Sequence, residues 1–448
     1  MRVQLVSLGC SKNRVDSEKL LARLVGGGAE IISGDYDYSI SHPDAIVINT
    51  CGFIQSAKEE SIGEILTAIE AKKAGDVKSV VVCGCLSERY RNDLKEQLPE
   101  VDAFFGSFEW AKVANFIVER EKESSKVEEK YYIKRLQTTP KHYAYLKISE
   151  GCNRQCSYCA IPLIKGKYVS VPMEELIKEA QFLAKQGVKE LILIAQDTTF
   201  YGMDLYKKRM LAPLIRELSE IRGIEWIRVH YSYPLAFPKD VIAEINSNPK
   251  VCKYLDIPLQ HCSTRVLKKM RRGIDSIKTQ RVINYIRKQI PGVALRTTLM
   301  VGHPGEGERE FEQLLKFVSK NRFELMGAFT YSQEENTYDA RHFKDIIPQR
   351  VKDLRYKKLM ALQAKIASER NGQRIGSQTD VIIDSVDRDF IYARSQYESP
   401  EVDGVILIPI KLPKGQTDPP LVLQNLIGKF ARVKIREVRG YDLIADLV

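Results

Sequence analysis

The densest chemistry in the chain sits in the stretch "EGCNRQCSYCAIP", where Cys152, Cys156 and Cys159 follow a strand-like run with C-x3-C-x2-C spacing. Three thiols on one short loop do not make a sensible set of disulfides with one another. As thiolates they suit a metal: they grip one face of a cubane iron–sulfur cluster, which ordinarily takes four cysteines, and no fourth lies nearby in sequence. One iron is then left open, as catalytic metal sites keep a coordination position for substrate. Zinc is the competing reading, but zinc sites favour paired C-x2-C knuckles and four protein ligands.

A second set is spread along the first hundred residues. Cys10 closes the apolar run "RVQLVSLGC", Cys51 closes "AIVINTC" and Cys85 closes "SVVVCGC". Such runs, alternating with helical stretches, form open parallel sheets whose strands end at a common crevice where ligands bind. Three cysteines distant in sequence therefore converge on one sheet edge. The plainer alternative is that each is a small buried hydrophobe, as free cysteines commonly are; three at equivalent positions favour a second three-thiolate site. Cys83 lies two residues before Cys85, on the same face if both are on a strand, so geometry alone leaves open which of them is the ligand. Cys252 and Cys262 have no ligand spacing and read as packing residues.

Placing these sets takes several folded units, and the 448 residues suffice for about three domains. Residues 1–125 alternate strand and helix and predict a doubly wound parallel α/β domain. Residues 126–140, entered through the charged stretch "EREKESSKVEEK", read as a linker. Residues 141–375 carry six candidate strands, from "YAYLKIS" to "ELMGAFTYS", and predict a partial (β/α)6 TIM-like barrel with chemistry at the strands' C-terminal ends. Residues 376–448 show short, evenly spaced β runs and predict a small antiparallel β-barrel of OB-like type.

A net charge of +11 and a pI of about 9.0 permit a polyanionic partner such as RNA or a ribosome, without requiring one. Arg2 is the only charge before an apolar run broken by Gln4 and Ser7, which is a poor secretory signal. No apolar stretch approaches the roughly 20 residues of a membrane span. The chain reads as cytoplasmic with no membrane partner, and in that compartment nine cysteines serve metals or catalysis in preference to disulfides.

The core triad, with Tyr158 as the aromatic residue before the third cysteine, resembles the signature of the radical S-adenosylmethionine (SAM) superfamily. That resemblance implies that the open iron chelates SAM and that one electron cleaves it to methionine and a 5′-deoxyadenosyl radical. Two three-cysteine sets followed by a β-barrel resemble, across nearly the whole chain, the methylthiotransferases, with an N-terminal methylthiotransferase domain, a radical SAM core and a TRAM domain. The family inserts a methylthio group at an unactivated C–H bond, with two [4Fe–4S] clusters and with SAM as both methyl donor and radical source. Its motif places the third N-terminal ligand in "GCL", which is Cys85, and leaves Cys83 an extra thiol.

The tRNA-modifying branch usually starts with a "CQMN"-like motif. Here "LGCSKNRVDSE", "RLQTTPKHYAYLKISEGC", "AQDTT", "DIPLQH" and "ESPEVDGV" are similar to the RimO type, which modifies the β-carbon of an aspartate in the twelfth protein of the small ribosomal subunit. A low-potential electron donor and a contact with rRNA are the further partners this implies. The tRNA adenosine branch, a two-cluster electron carrier and an RNA-binding assembly factor are the alternatives; ferredoxin-like carriers have a fourth cysteine per cluster, absent here.

The sequence also departs from the pattern. Val171 stands where arginine is common, and His303 in "VGHPGEGE" stands where the family usually has phenylalanine; contact with substrate or SAM is one reading of His303, and a partly exposed bystander is the expectation. The second barrel strand ends "AQDTTFYG" where a "GGE"-like motif is usual, and Gln196 is the candidate SAM contact there, together with Tyr158. In the last domain, Asp380, Asp384, Asp387, Asp389, Glu398, Glu401 and Asp403 precede a basic strand with Lys429, Arg432, Lys434, Arg436 and Arg439. The acidic half suits docking on a basic ribosomal protein, or is a solvated surface.

Overall fold

The computed structural model describes residues 1–32, 38–118, 134–410 and 421–448. Its first sheet is five-stranded and parallel, with β1 (Arg2–Ser7), β2 (Glu30–Ile32), β3 (Ala45–Thr50), β4 (Ser79–Gly84) and β5 (Ala103–Phe104) in the order β2-β1-β3-β4-β5. The central strand β3, "AIVINT", is buried at every position, as a parallel strand covered on both faces must be. Ile46, Ile48, Val80 and Val82 pack on the helix Gln55–Ala74, while Val47 and Val81 pack on Leu20, Leu24 and Trp110 from helices of the other face. The strand order reverses between β1 and β3, so the crevice of this sheet opens beyond their carboxyl ends.

The second sheet has six parallel strands in chain order: β6 (Tyr143–Lys147), β9 (Glu190–Ile194), β10 (Trp226–Val229), β11 (Val251–Asp256), β12 (Ala294–Val301) and β13 (Leu325–Thr330). Between β6 and β9, the short hairpin β7 (Ser149–Glu150) and β8 (Val169–Ser170) brackets the loop with the cysteine triad. One face carries the main core, where Leu146, Leu191, Leu193, Ile227, Val229 and Leu255 meet helix residues such as Leu176, Leu183 and Leu214. The opposite face presents Tyr143, Tyr145, Glu190, Arg228, Tyr254 and Arg296, too polar to close on itself.

The third unit is a closed barrel of β14 (Gln378–Val386), β15 (Phe390–Ser395), β16 (Ile406–Pro409), β18 (Asp442–Leu447) and β17 (Phe430–Arg439), in that neighbour order. Four pairings are antiparallel, as expected, and β16 with β18 is parallel. Alternate residues fill its core, among them Val381, Ile383, Ile391, Val433, Ile435 and Leu443.

Part of the acidic half of this barrel turns inward. Asp384 accepts both arms of Arg394 at 2.6 and 2.9 Å and lies 2.7 Å from His142 of the second unit. Glu398 pairs with Arg374, Asp380 with Arg432, and Asp403 accepts from Tyr254 at 2.9 Å and Arg296 at 3.2 Å. Glu401 accepts the hydroxyls of Tyr143 and Tyr145 and also pairs with Arg14 of the first unit. The docking surface expected from these acids is therefore corrected in part: Asp384, Glu401 and Asp403 hold the barrel onto the polar face of the second sheet, whereas Asp380, Asp387 and Asp389 stay exposed.

The linker expected over residues 126–140 lies outside the described residues as far as position 133, as does the charged stretch before it. Its second half is no loose connection. Arg135 is buried with ion pairs to Glu18 and Glu179, both at 2.8 Å, and Thr138 donates its N–H and hydroxyl to Glu18.

Glu190 is the node of the barrel contact. It is fully buried, with Arg228 on one oxygen at 2.7 Å and Arg394 on the other at 2.8 Å. Burial pushes its carboxyl up, but the two guanidinium groups outweigh that and hold it below the ordinary range. Glu190→Gln is expected to destabilise the fold by about 3 kcal/mol at neutral pH, the cost of breaking a buried pair. Because a depressed carboxylate stabilises above its unfolded pKa and loses that contribution as the pH falls, the gap to wild type narrows below about pH 4.3. Chemical denaturation of both proteins from pH 7 to pH 3 checks both points.

Candidate metal centres

Cys10, Cys51 and Cys85 follow the ends of β1, β3 and β4, the three central strands of the first sheet. Gly9, at φ +88°, lets the Cys10 loop press on Cys51, since a Cβ there would lie 2.7 Å from Cys51 Cβ. Gly84, at φ +96°, makes the turn from β4 into the helix Cys85–Gln97, and a Cβ there would lie 2.4 Å from Asn49 Oδ1. This turn separates Cys83 from Cys85, so the expectation that both share a strand face is corrected. Cys83 is fully buried among Val3, Val47, Val81 and Trp110, whereas Cys85 packs on Ala160 and Ile164 beside the core triad.

One side chain ties these loops together. Asn13 Nδ2 donates to Leu8 O at 3.1 Å and Thr50 O at 2.9 Å, and its Oδ1 lies 3.6 Å from Cys85 Sγ. Asn49 in turn donates to Asn13 O and Ser17 Oγ. Ser61 Oγ accepts the Cys51 N–H and donates to Cys51 O, both at 3.0 Å.

The core triad lies just past β7. Cys152 N–H donates to Gly166 O, Arg154 N–H donates to Cys152 Sγ at 3.4 Å, and Cys159 N–H donates to Cys156 O. Arg272 is buried here and donates to Cys156 Sγ at 3.3 Å and Tyr158 Oη at 3.5 Å. Tyr233 places its hydroxyl 3.9 Å from Cys156 Sγ, with Arg154 and Arg272 on its ring at 4.1 and 4.3 Å.

Burial pushes the Cys51 thiol up to about 12 and Cys152 up to about 11, and it raises Cys85 and Cys159 as well. Ligation needs the thiolate, so a positive centre bound here has to offset that burial cost. Among the described residues, no three of His, Cys, Asp or Glu lie close enough to share one ion. A cubane does not ask for that, since each thiolate binds its own iron.

Several buried polar atoms around the triad have no protein partner: Arg154 Nη2, Ser157 Oγ, Gln196 Oε1, Gln260 Oε1 and Arg272 Nε. They come from the cysteine loop, from beyond the ends of β9 and β11 and, for Arg272, from the turn after the helix Thr264–Lys269, where buried donors and acceptors ordinarily signal a ligand. This donor set fits a zwitterionic cofactor next to the triad. Tyr158 sits in the same region, among Val266, Met270, Met300 and Tyr331.

Two buried ion clusters join the sheets edge to edge. Asp16 pairs with Lys147 and lies 3.5 Å from Lys165, and Lys147 also pairs with Glu150, two residues before Cys152. Burial pulls the Lys165 ammonium down, but Cys85, Glu150 and Asp16 more than restore it. On the other side, Glu334 past β13 holds Arg89 at 2.9 Å and Lys58 at 3.1 Å, and Arg89 reaches Gly52 O beside Cys51. A cavity of about 910 Å³ lies elsewhere: it is lined by Trp226, Ala294 and Leu325 at the strands' opposite ends and by Arg374 and Tyr397 near the barrel. The chemistry is at the other edge.

His303 is fully buried, which corrects the expectation of partial exposure, and its Nε2 is 2.8 Å from Asp339, itself fully buried. Its ring meets Tyr158 edge-on at 6.4 Å, so it supports the residue before Cys159 from behind. Asn13, Arg272 and Lys165 escaped the sequence reading; only the "SKN" after Cys10 pointed near them.

A partial barrel of parallel strands with a C-x3-C-x2-C triad in the loop after its first strand marks the radical SAM class. Residues 146–318 match the Radical SAM superfamily, residues 2–106 the uncharacterized protein family UPF0004 and residues 375–448 the TRAM domain. The fold is shared with the radical SAM methyltransferase TsrM from Kitasatospora setae (TM-score 0.55, 15% identity, 73% of this chain and 72% of that one). It is shared also with the cobalamin-dependent SAM radical enzyme OxsB (TM-score 0.54, 15% identity, 82% of this chain and 56% of that one). Proteins named ribosomal protein uS12 methylthiotransferase RimO match over all of this chain. That of Bacteroides thetaiotaomicron is 47% identical with 98% of its length covered, and that of Cytophaga hutchinsonii 45% with 98%. The chain belongs to the RimO family of radical SAM methylthiotransferases.

The buried His303–Asp339 pair predicts a double-mutant result. His303→Phe leaves Asp339 without its partner and costs about 3 kcal/mol, and adding Asp339→Ala recovers much of that loss. Denaturant midpoints of the two single variants and the double variant measure the coupling.

Proposed function

We propose that this enzyme adds a methylthio group to the β-carbon of an aspartate in ribosomal protein uS12, with a [4Fe–4S] cluster on each cysteine triad. Cys152, Cys156 and Cys159 hold the one that works on SAM, and Cys10, Cys51 and Cys85 hold the one that carries the sulfur. The observation that supports this most is the meeting of the two triads at the facing C-terminal edges of two sheets, pinned by Asp16 and by Glu334.

Bound there, the clusters and SAM supply one-electron cleavage and hydrogen abstraction, chemistry that no side chain performs at an unactivated carbon. The chain's own part is placement. Gln196 and Tyr158 orient SAM, with Gln260 and Ser157 offering further unpaired atoms. Arg272 and Tyr233 approach the Cys156 sulfur and orient it.

A low-potential electron donor completes the reaction. The outward row Arg432, Lys434 and Arg436 on β17 is the surface for rRNA if uS12 is modified in the ribosome. Its place of work on this reading is the cytoplasm, where the ribosomal substrate is. No helix among the described residues is long and apolar enough to cross a membrane.

The reading is tested by mass spectrometry of uS12 and tRNA from cells with and without the gene. A methylthio gain on the uS12 aspartate is expected; a gain on tRNA adenosine assigns the other branch, and no gain on either removes the activity. With purified protein, Cys10→Ala, Cys51→Ala and Cys85→Ala are expected to retain deoxyadenosine formation from SAM but lose methylthiolation. Cys156→Ala loses both, and Cys83→Ala keeps both. Product from the Cys10→Ala protein would sink the second cluster.

A further inference from the structure

Among the described residues four lysines are buried: Lys12, Lys147, Lys165 and Lys352. Lys147 pairs with Asp16 and Glu150, Lys165 with Asp16, and Lys352 with Asp345. Lys12, at 8% exposure, has no carboxylate partner among the described residues. A buried cation without a counter-ion is costly and marks a place that an anion completes.

Its position says which anion. Lys12 stands two residues after Cys10, in the first turn of the helix Ser11–Gly26. Its Nζ lies 3.2 Å from the centroid of the Tyr231 ring, so the aromatic face holds the ammonium while its N–H groups stay free to donate. Tyr231 comes just after β10, at φ +55°, a left-handed conformation that a bulky residue adopts at a cost and that clusters at functional sites. Asp256 accepts its N–H at 3.0 Å, and two residues further on the Tyr233 hydroxyl approaches Cys156. The ammonium thus bridges the first loop of one triad and the barrel edge beside the other.

We propose that Lys12 is a substrate-positioning residue whose ammonium binds the side-chain carboxylate of the aspartate that is modified. The inference rests on the uS12 reading above. Reaction at a β-carbon leaves the carboxylate one bond away, so bringing that carbon between the triads carries a charge into buried space. Lys12 is the cation that receives it, and it fixes which β-hydrogen faces the core triad.

The test compares uS12 bearing its target aspartate with uS12 carrying asparagine there, by binding to anaerobically reconstituted enzyme at matched iron content. Wild type is expected to prefer the aspartate form by roughly ten- to hundredfold, the size of one charge-assisted hydrogen bond. Lys12→Met, which installs the residue of the "CQMN" start, abolishes the preference, and Lys12→Arg keeps most of it. Lys12→Gln replaces the methionine variant if that protein does not load iron. In methylthiolation assays the loss appears chiefly in KM. A Lys12→Met or Lys12→Gln protein that still prefers aspartate overturns the proposal, as does a Lys12→Arg protein that prefers neither form. If wild type does not modify uS12 at all, the functional reading fails; if it does while all variants bind alike, only the role of Lys12 fails.

Discussion

Asp16 lies buried between Lys147 and Lys165, and both lysines belong to the second sheet's side of the interface. A carboxylate in that setting is costly unless both partners are in place. The first helix therefore has one seat on β6, with Asp16 over the segment from Lys147 to Glu150 that leads into Cys152. Glu334 fixes the other side with Arg89 and Lys58, near Cys51. Between these clamps the two sheets meet by their carboxyl ends. Neither sheet's own packing demands this, since each has a complete hydrophobic core. These charges, with the apolar contacts of Val15 on Tyr143 and Tyr145 and of Cys85 on Ala160 and Ile164, set how the triads face each other.

The C-terminal barrel serves the same geometry from below. Six strands in sequence do not close a barrel, and their polar face must be covered. Glu190, Arg228, Tyr254 and Arg296 find partners in Arg394, Asp403 and the backbone of Gln396. Glu401 goes further and touches all three units at once through Arg14, Tyr143 and Tyr145. A module that reads as a surface for partners is in part an internal plug, with Asp384, Glu401 and Asp403 turned to the second sheet and Asp387, Asp389 and the basic row of β17 left outward.

The alternation of strands and helices, the barrel's strand runs and the two cysteine sets were legible because each depends on local pattern or on a strand's end. The roles of the acids at 380–403 were not, because a carboxylate looks the same in sequence whether it faces solvent or an arginine far along the chain. His303 failed for the same reason: its burial depends on Asp339, and nothing local to "VGHPGEGE" reveals that partner. Asn13 was half visible. The "SKN" triplet distinguished one branch from another, but the physical content is one amide holding the loops before Cys10 and Cys51 and facing Cys85.

The cysteine pair at 83 and 85 shows how a single backbone torsion decides chemistry. On an uninterrupted strand both thiols would face one way, and the choice between them would be arbitrary. Gly84 ends the strand at φ +96°, in space that Asn49 and Thr50 deny to any side chain. The next residue starts a helix, so Cys85 leaves the sheet plane while Cys83 stays in the core. Asn49, which crowds Gly84, also holds the backbone of Asn13, and Asn13 meets the Cys85 sulfur. The turn that releases the thiol and the amide that receives it are thus set by the same buried asparagine.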